Sequence, residues 1–185
     1  MRPAIWKAIL LAFACSASAG VVAQDTHVWT DTDCTQVRIA AAAGLRCRSL
    51  ASAGVATSVT GAGGTFRQLN ASGIVNKVKL FYCLFETTSL QSAVSTRSTL
   101  AETLKSVSPY AKTASGFSEL STRDGVDLVT FTGSAGDACI GIRRFGTAAI
   151  GGYKWIVYAT RCVPAKTAVP DGDVAAFIAG TKPSS

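Results

Sequence analysis

Histidine is nearly absent from this sequence, which has only His27 among 185 residues. A Ser-His-Asp triad would have to recruit that residue. The surrounding segment, Gln24 to Asp33, is interpreted as an N-terminal arm, because chain ends are ordered only when something ties them down. The cysteines show no C-x-x-C spacing, so a Cys/His zinc site also has little support. We therefore predict no metal site.

Short catalytic motifs are missing as well. No G-x-S-x-G occurs, and no serine is followed by lysine three residues later, which excludes two serine-nucleophile patterns. Glu86 and Asp127 are the carboxylates that could lie near a pocket, but no spacing selects a facing pair. The sequence predicts no catalytic residue and no cofactor. A carboxylate-dependent hydrolase acting on an envelope or extracellular substrate remains the alternative to a binding domain.

Long apolar runs are absent too, which predicts that the chain has no transmembrane span. The short apolar stretch within Met1 to Ala19 follows two basic residues and ends at a small-residue cleavage site, as in a secretory signal peptide. Cleavage is expected after Ala19 or Ala23, and a lipid-carrying Cys15 is the less favoured alternative. Residues 24–185 would then form a single exported domain, periplasmic or secreted.

The positive charge is modest and scattered. Removing residues 1–23 removes two of the 18 Lys and Arg residues and none of the 11 acidic ones, which leaves 16 − 11 = +5. Only near-neighbour pairs occur, at Arg46/Arg48, Lys77/Lys79 and Arg143/Arg144, and these do not form a nucleic-acid-binding stripe. The charge permits a protein, glycan or anionic lipid partner, and no nucleic acid is expected.

Five cysteines remain after cleavage, and an exported chain with this number is expected to form disulfides. We predict the pairs Cys34–Cys47 and Cys139–Cys162. Cys83 is left over in an apolar strand, where it is either an inert buried thiol or the link of a covalent dimer.

Three consecutive strands are predicted between Val126 and Cys162, separated by glycine-rich turns. A two-residue turn at Ile150-Gly151 places residues opposite one another when their numbers sum to 301, and Cys139 and Cys162 meet that condition. Opposed Cβ atoms lie about 4.5–5.5 Å apart in an antiparallel pair, so a cross-strand disulfide is feasible with a small adjustment.

The rest of the chain predicts an α+β fold. Ile74 to Thr87 is predicted to be a strand, and its segment Leu80 to Phe85 is apolar on both faces, as in a central strand. A long amphipathic helix is expected from Thr88, with Gln91 completing a capping box, to Lys105. A short helix follows Asp171, and the ambiguous stretch Asp33 to Leu50 weakly favours a helix. The prediction is a mostly antiparallel sheet of about four to six strands, with one long and one short helix packed on a face.

Aromatic and cationic residues are concentrated on the last hairpin, which is our predicted binding surface. Stacking and charge would allow it to bind an anionic or sugar-like partner. The residues concerned are Arg143, Arg144, Tyr153, Trp155 and Tyr158. The sequence therefore favours a non-enzymatic, disulfide-bonded binding or protein-interaction domain in the cell envelope or outside the cell.

Overall fold

The structure is a computed structural model that describes residues 28–53, 65–88, 93–165 and 169–184. The predicted signal peptide, its cleavage sites, Cys15 and His27 lie outside the described residues. Within these ranges, no helix has both the length and the apolar character needed to cross a membrane.

An eight-stranded antiparallel sheet organises the described part of the chain. Its strand order is β1-β2-β3-β4-β10-β7-β6-β5, so two meanders of four strands meet where β4 pairs with β10. Strands β8 and β9 form a separate small hairpin. The strands are β1 (Thr30–Asp31), β2 (Arg46–Ala53), β3 (Thr65–Val75), β4 (Val78–Thr87), β5 (Ser121–Arg123), β6 (Val126–Thr132), β7 (Ala138–Phe145), β8 (Ala148–Ala149), β9 (Gly152–Tyr153) and β10 (Trp155–Val163).

Strand β4 is apolar on both faces because both faces are covered, as its sequence indicated. Phe81, Cys83 and Phe85 belong to one core cluster, and Tyr82 and Leu84 belong to the other. We call the first the α1 face, since helix α1 (Leu100–Val107) packs there. The opposite, α2 face is covered by helix α2 (Asp171–Gly180) and by two short 3-10 turns, Cys34–Val37 and Ala40–Ala42.

The predicted fold class is wrong. The described chain is mostly sheet, with eight strands in one sheet rather than four to six. Its two α-helices have eight and ten residues, so there is no long helix in the described ranges. The helices also lie on opposite faces instead of sharing one.

The predicted long helix is wrong because residues 93–99 are not helical; Gln91 lies outside the described residues. Val94 exchanges backbone hydrogen bonds of 2.8 and 2.9 Å with Tyr153, which fixes this stretch against the β8–β9 hairpin. The helix begins only after Thr99, whose hydroxyl accepts a hydrogen bond from the Glu102 amide while the Glu102 carboxylate accepts one from the Thr99 amide. A capping box therefore exists, but eleven residues later than predicted.

The weakly favoured helix between Asp33 and Leu50 is also wrong. Asp33 does cap a turn, since its carboxylate accepts a 2.9 Å hydrogen bond from the Thr35 amide. That turn ends at Arg38, whose φ of 56° reverses the chain direction. The second half of the stretch then becomes strand β2.

Both predicted cysteine pairs are disulfides in the structure. Cys139 and Cys162 lie directly opposite each other in the β7–β10 ladder, which is the register that the turn at Ile150-Gly151 required. Disulfides form and persist in oxidising compartments, so the two bridges are compatible with an exported domain.

Candidate ligand-binding groove

The hairpin residues predicted to bind a ligand are divided between the two faces of the sheet. Arg143 and Tyr158 alternate with the α2-face residues Ile142 and Val157 and so point to the α1 face. Arg144 and Trp155 point to the α2 face. Because successive side chains of a strand point to opposite faces, these residues lie on different faces of the sheet although they are close in sequence.

Most of these side chains are engaged within the protein. Arg143 donates hydrogen bonds of 2.6 and 2.9 Å to the Asp127 carboxylate, and Arg144 donates one of 2.8 Å to the Ile178 carbonyl. Tyr158 is fully buried, and this burial raises the pKa of its phenol. Tyr153 stacks on Phe145 with ring centroids 4.4 Å apart. The five side chains do not form one common surface, and their role in binding stays a prediction.

The two candidate carboxylates do not face each other either. Glu86 lies on the α2 face, buried between the guanidinium groups of Arg38 and Arg67, which both donate to it. Asp127 lies on the α1 face and pairs with Arg143. A two-carboxylate mechanism needs both acids beside one substrate bond, which this arrangement does not provide. Across the described ranges, no three His, Cys, Asp or Glu residues come together as metal ligands.

A groove lies on the α1 face of the N-terminal meander, beside the C-terminal end of helix α1. Its cavity volume is about 470 Å³, which is within the range of small-molecule sites. The residues that line it come from the β1 edge, strands β2 to β4 and the end of α1. They are Trp29, Arg46, Arg48, Gln68, Asn70, Ser72, Phe81, Phe85, Ser106, Val107 and Pro109.

The floor of the groove is neutral and hydrogen-bonding. Gln68, Asn70 and Ser72 occupy alternate positions of β3, so the strand period places all three on the same face. The Gln68 amide nitrogen donates to the Asn70 side-chain oxygen at 3.2 Å and to the Cys83 sulfur at 3.3 Å. These hydrogen bonds fix the orientation of the Gln68 and Asn70 side chains in the floor of the groove.

Two arginines border this floor. Arg46 and Arg48 lie on β2, directly opposite Ser72 and Asn70. The guanidinium carbon of Arg48 is 5.8 Å from the centroid of the Trp29 ring, a cation–π distance. The groove therefore combines an aromatic ring with two cations at one wall.

Among the described residues, one carboxylate pairs with these two cations. Asp31 accepts a hydrogen bond from Arg46 at 3.2 Å, and its nearest contact with Arg48, to Nε, is 3.6 Å. That Nε is buried without a hydrogen-bond partner. The Asp31 side chain is 68% exposed, so solvent screens both ion pairs. None of the described residues that line the groove is acidic, so the groove favours an anion.

Cys83 lies beneath the floor and is completely buried. Burial raises the pKa of its thiol, against the smaller opposing effect of the Gln68 hydrogen bond. Because thiolate is the reactive form, this cysteine is unreactive in the folded protein. The Cys83-linked dimer that the sequence allowed would require β4 to separate from its neighbours.

Sequence reasoning missed this groove, although part of its signal is visible. Arg46 and Arg48 were noted only as a charge pair, since the surrounding stretch favoured a helix, in which residues two apart do not share a face. The alternation of Gln68, Asn70 and Ser72 indicates a common strand face. No local pattern indicates that Trp29 borders the same face.

The comparisons with known proteins add no assignment: no family model, curated protein or solved structure matches the chain.

Proposed function

We propose that this protein is an exported, disulfide-bonded binding domain, periplasmic or secreted, that takes a ligand in the groove on its α1 face. It acts without catalysis. The two disulfides and the signal-peptide pattern of residues 1–23 support export.

One observation carries the proposal: the groove on the α1 face has two arginines, and none of its described lining residues is acidic. The equivalent surface over the other meander is covered by Leu100 and Leu104 of α1. Over β2 and β3 the same face carries amide, hydroxyl and guanidinium groups instead of a core. A few placed polar groups in a concave site are what fixes the orientation of a bound ligand.

The test is a binding screen of the mature chain, residues 24–185, against immobilised neutral and acidic oligosaccharides, phosphatidylglycerol vesicles and acidic peptides. Trp29 and Trp155 are the only tryptophans of the mature chain. A Trp155→Phe variant therefore makes Trp29 the sole indole, and its fluorescence reports directly on the groove.

We expect at least one probe to bind and to change the Trp29 emission. Arg46→Ala and Arg48→Ala should weaken that binding, whereas Arg97→Ala, which removes an exposed arginine outside the groove, should not. Binding that all three variants leave unchanged would place the ligand elsewhere and refute the proposal.

A further inference from the structure

We infer that the groove binds an acidic saccharide, such as a uronic-acid oligomer, with the sugar hydroxyls on the β3 floor and the carboxylates at Arg46 and Arg48. The inference rests on the proposed function and adds the chemical class of the ligand. It is drawn from two parts of the groove considered together, the neutral β3 floor and the two arginines of β2.

The floor matches a ligand that both donates and accepts hydrogen bonds. A side-chain amide contains a carbonyl acceptor and an NH₂ donor, and a serine hydroxyl does both. Gln68, Asn70 and Ser72 repeat this chemistry along β3, over about 13 Å at the strand rise. Sugar hydroxyls are likewise donors and acceptors, and an oligomer presents them at intervals.

The wall at Trp29 matches the remaining features of such a ligand. An indole ring offers a large, rigid apolar surface, and the C–H face of a pyranose ring is the apolar side of a sugar. Beside it, the guanidinium groups of Arg46 and Arg48 suit carboxylate geometry, since Arg binds carboxylates through paired N–H donors.

Other classes of anion fit the groove less well. Peptides that bind sheets add a strand to an exposed edge, but the groove lies over β3, which is already paired with β2 and β4 on its two sides. An acyl chain needs an apolar cavity, whereas Gln68, Asn70 and Ser72 place polar groups along the floor of this one. A nucleic acid binds through many phosphate contacts, and the described lining residues include two cations.

The experiment compares trigalacturonate with its methyl ester, which keeps the sugar and removes the charge. Triglutamate serves as a non-saccharide anion of comparable charge, and phosphatidylglycerol vesicles serve as an anionic lipid surface. Binding is measured at low salt by calorimetry for every variant and, in the Trp155→Phe background, by Trp29 fluorescence for the variants that keep Trp29. Variants Arg48→Ala, Asn70→Ala and Trp29→Ala are compared with Arg97→Ala, after their urea midpoints show that they fold.

We expect trigalacturonate to bind at least tenfold more tightly than its methyl ester and than triglutamate. Arg48→Ala should reduce trigalacturonate affinity about tenfold and leave the weaker ester binding nearly unchanged. Asn70→Ala and Trp29→Ala should weaken both saccharides, because they remove contacts with the uncharged part of the sugar.

Three outcomes would overturn the inference. If triglutamate or the vesicles bind in an Arg48-dependent manner and neither saccharide does, the groove remains a binding site but the ligand class is wrong. If no probe shows binding that depends on groove residues, the acidic-saccharide inference and the proposed use of the groove fail together. Equal affinity for the acid and the ester would also contradict it, since the arginines would then contribute nothing.

Discussion

Two pairs of arginines flank the N-terminal meander, and each pair shares a single carboxylate. On the α2 face, Arg38 and Arg67 both donate to Glu86, whose side chain is 9% exposed. On the α1 face, Arg46 and Arg48 share Asp31, whose side chain is 68% exposed. Each cluster consists of two arginines and one acid, and the acid is buried in the first cluster and exposed in the second.

That difference separates a structural role from a binding role. A buried carboxylate must be paired, and removing one partner leaves an uncompensated charge. Glu86 therefore joins the first 3-10 turn, through Arg38, to strands β3 and β4. Exposed ion pairs contribute about 0–1 kcal/mol, so the arginines beside Asp31 are available to an anionic ligand at little cost to folding. Four predictions test this contrast.

The largest effect is expected from the disulfide on the α2 face. A Cys34→Ala/Cys47→Ala double variant removes a bridge between residues 13 apart in sequence. Such a loop closure contributes about 3 kcal/mol, so the urea midpoint should fall accordingly. A urea midpoint equal to that of the wild type would show that the stability of the α2 face does not depend on the Cys34–Cys47 disulfide.

Glu86→Gln should destabilise the fold by about 2 kcal/mol, less than for a fully buried pair because the two arginines are partly exposed. Urea unfolding measures the change. The matched control is Asp31→Asn, which should change stability by less than about 0.5 kcal/mol. Equal losses for the two variants would remove the distinction between the clusters.

Arg48→Ala should show the reverse behaviour. We expect unfolding free energy within about 0.5 kcal/mol of the wild type and anion affinity reduced about tenfold, as in the saccharide titration above. Arg67→Ala, the corresponding change on the other face, should reduce stability and leave that affinity unchanged. The assignment of a structural role to the α2-face cluster and a binding role to the α1-face cluster would be wrong if Arg67→Ala abolished binding in a folded protein.

The smallest effect is expected from Asp31→Asn, which removes the one carboxylate that competes with an anionic ligand. Affinity for trigalacturonate should rise about threefold at low salt. The gain should shrink at 1 M salt, where the Debye length falls to about 3 Å. A lower affinity would mean that Asp31 orients the arginines instead of competing for them.

Sequence reasoning was correct where a feature follows from a local pattern, and it failed where contacts between segments far apart in the chain determine the structure. The β6, β7 and β10 strands and the Cys139–Cys162 register follow from turns and alternation within about 40 residues. Helix α1 was placed too early, because Thr88 with Gln91 and Thr99 with Glu102 both satisfy the capping rule. The pairing of Val94 with Tyr153, which excludes the earlier start, joins residues 59 apart and leaves no local signal.

By itself, the sequence determined strands β6, β7 and β10 of the second meander, the double-sided burial of β4 and the Cys139–Cys162 pair. Each depends on alternation or on turn spacing, which act between residues close along the chain or in one ladder. Only the tertiary structure decided that the helices take opposite faces and that Trp29, Arg48 and Asn70 meet around one groove. Those outcomes depend on the order of strands in the sheet, which is set by packing between segments far apart in the chain.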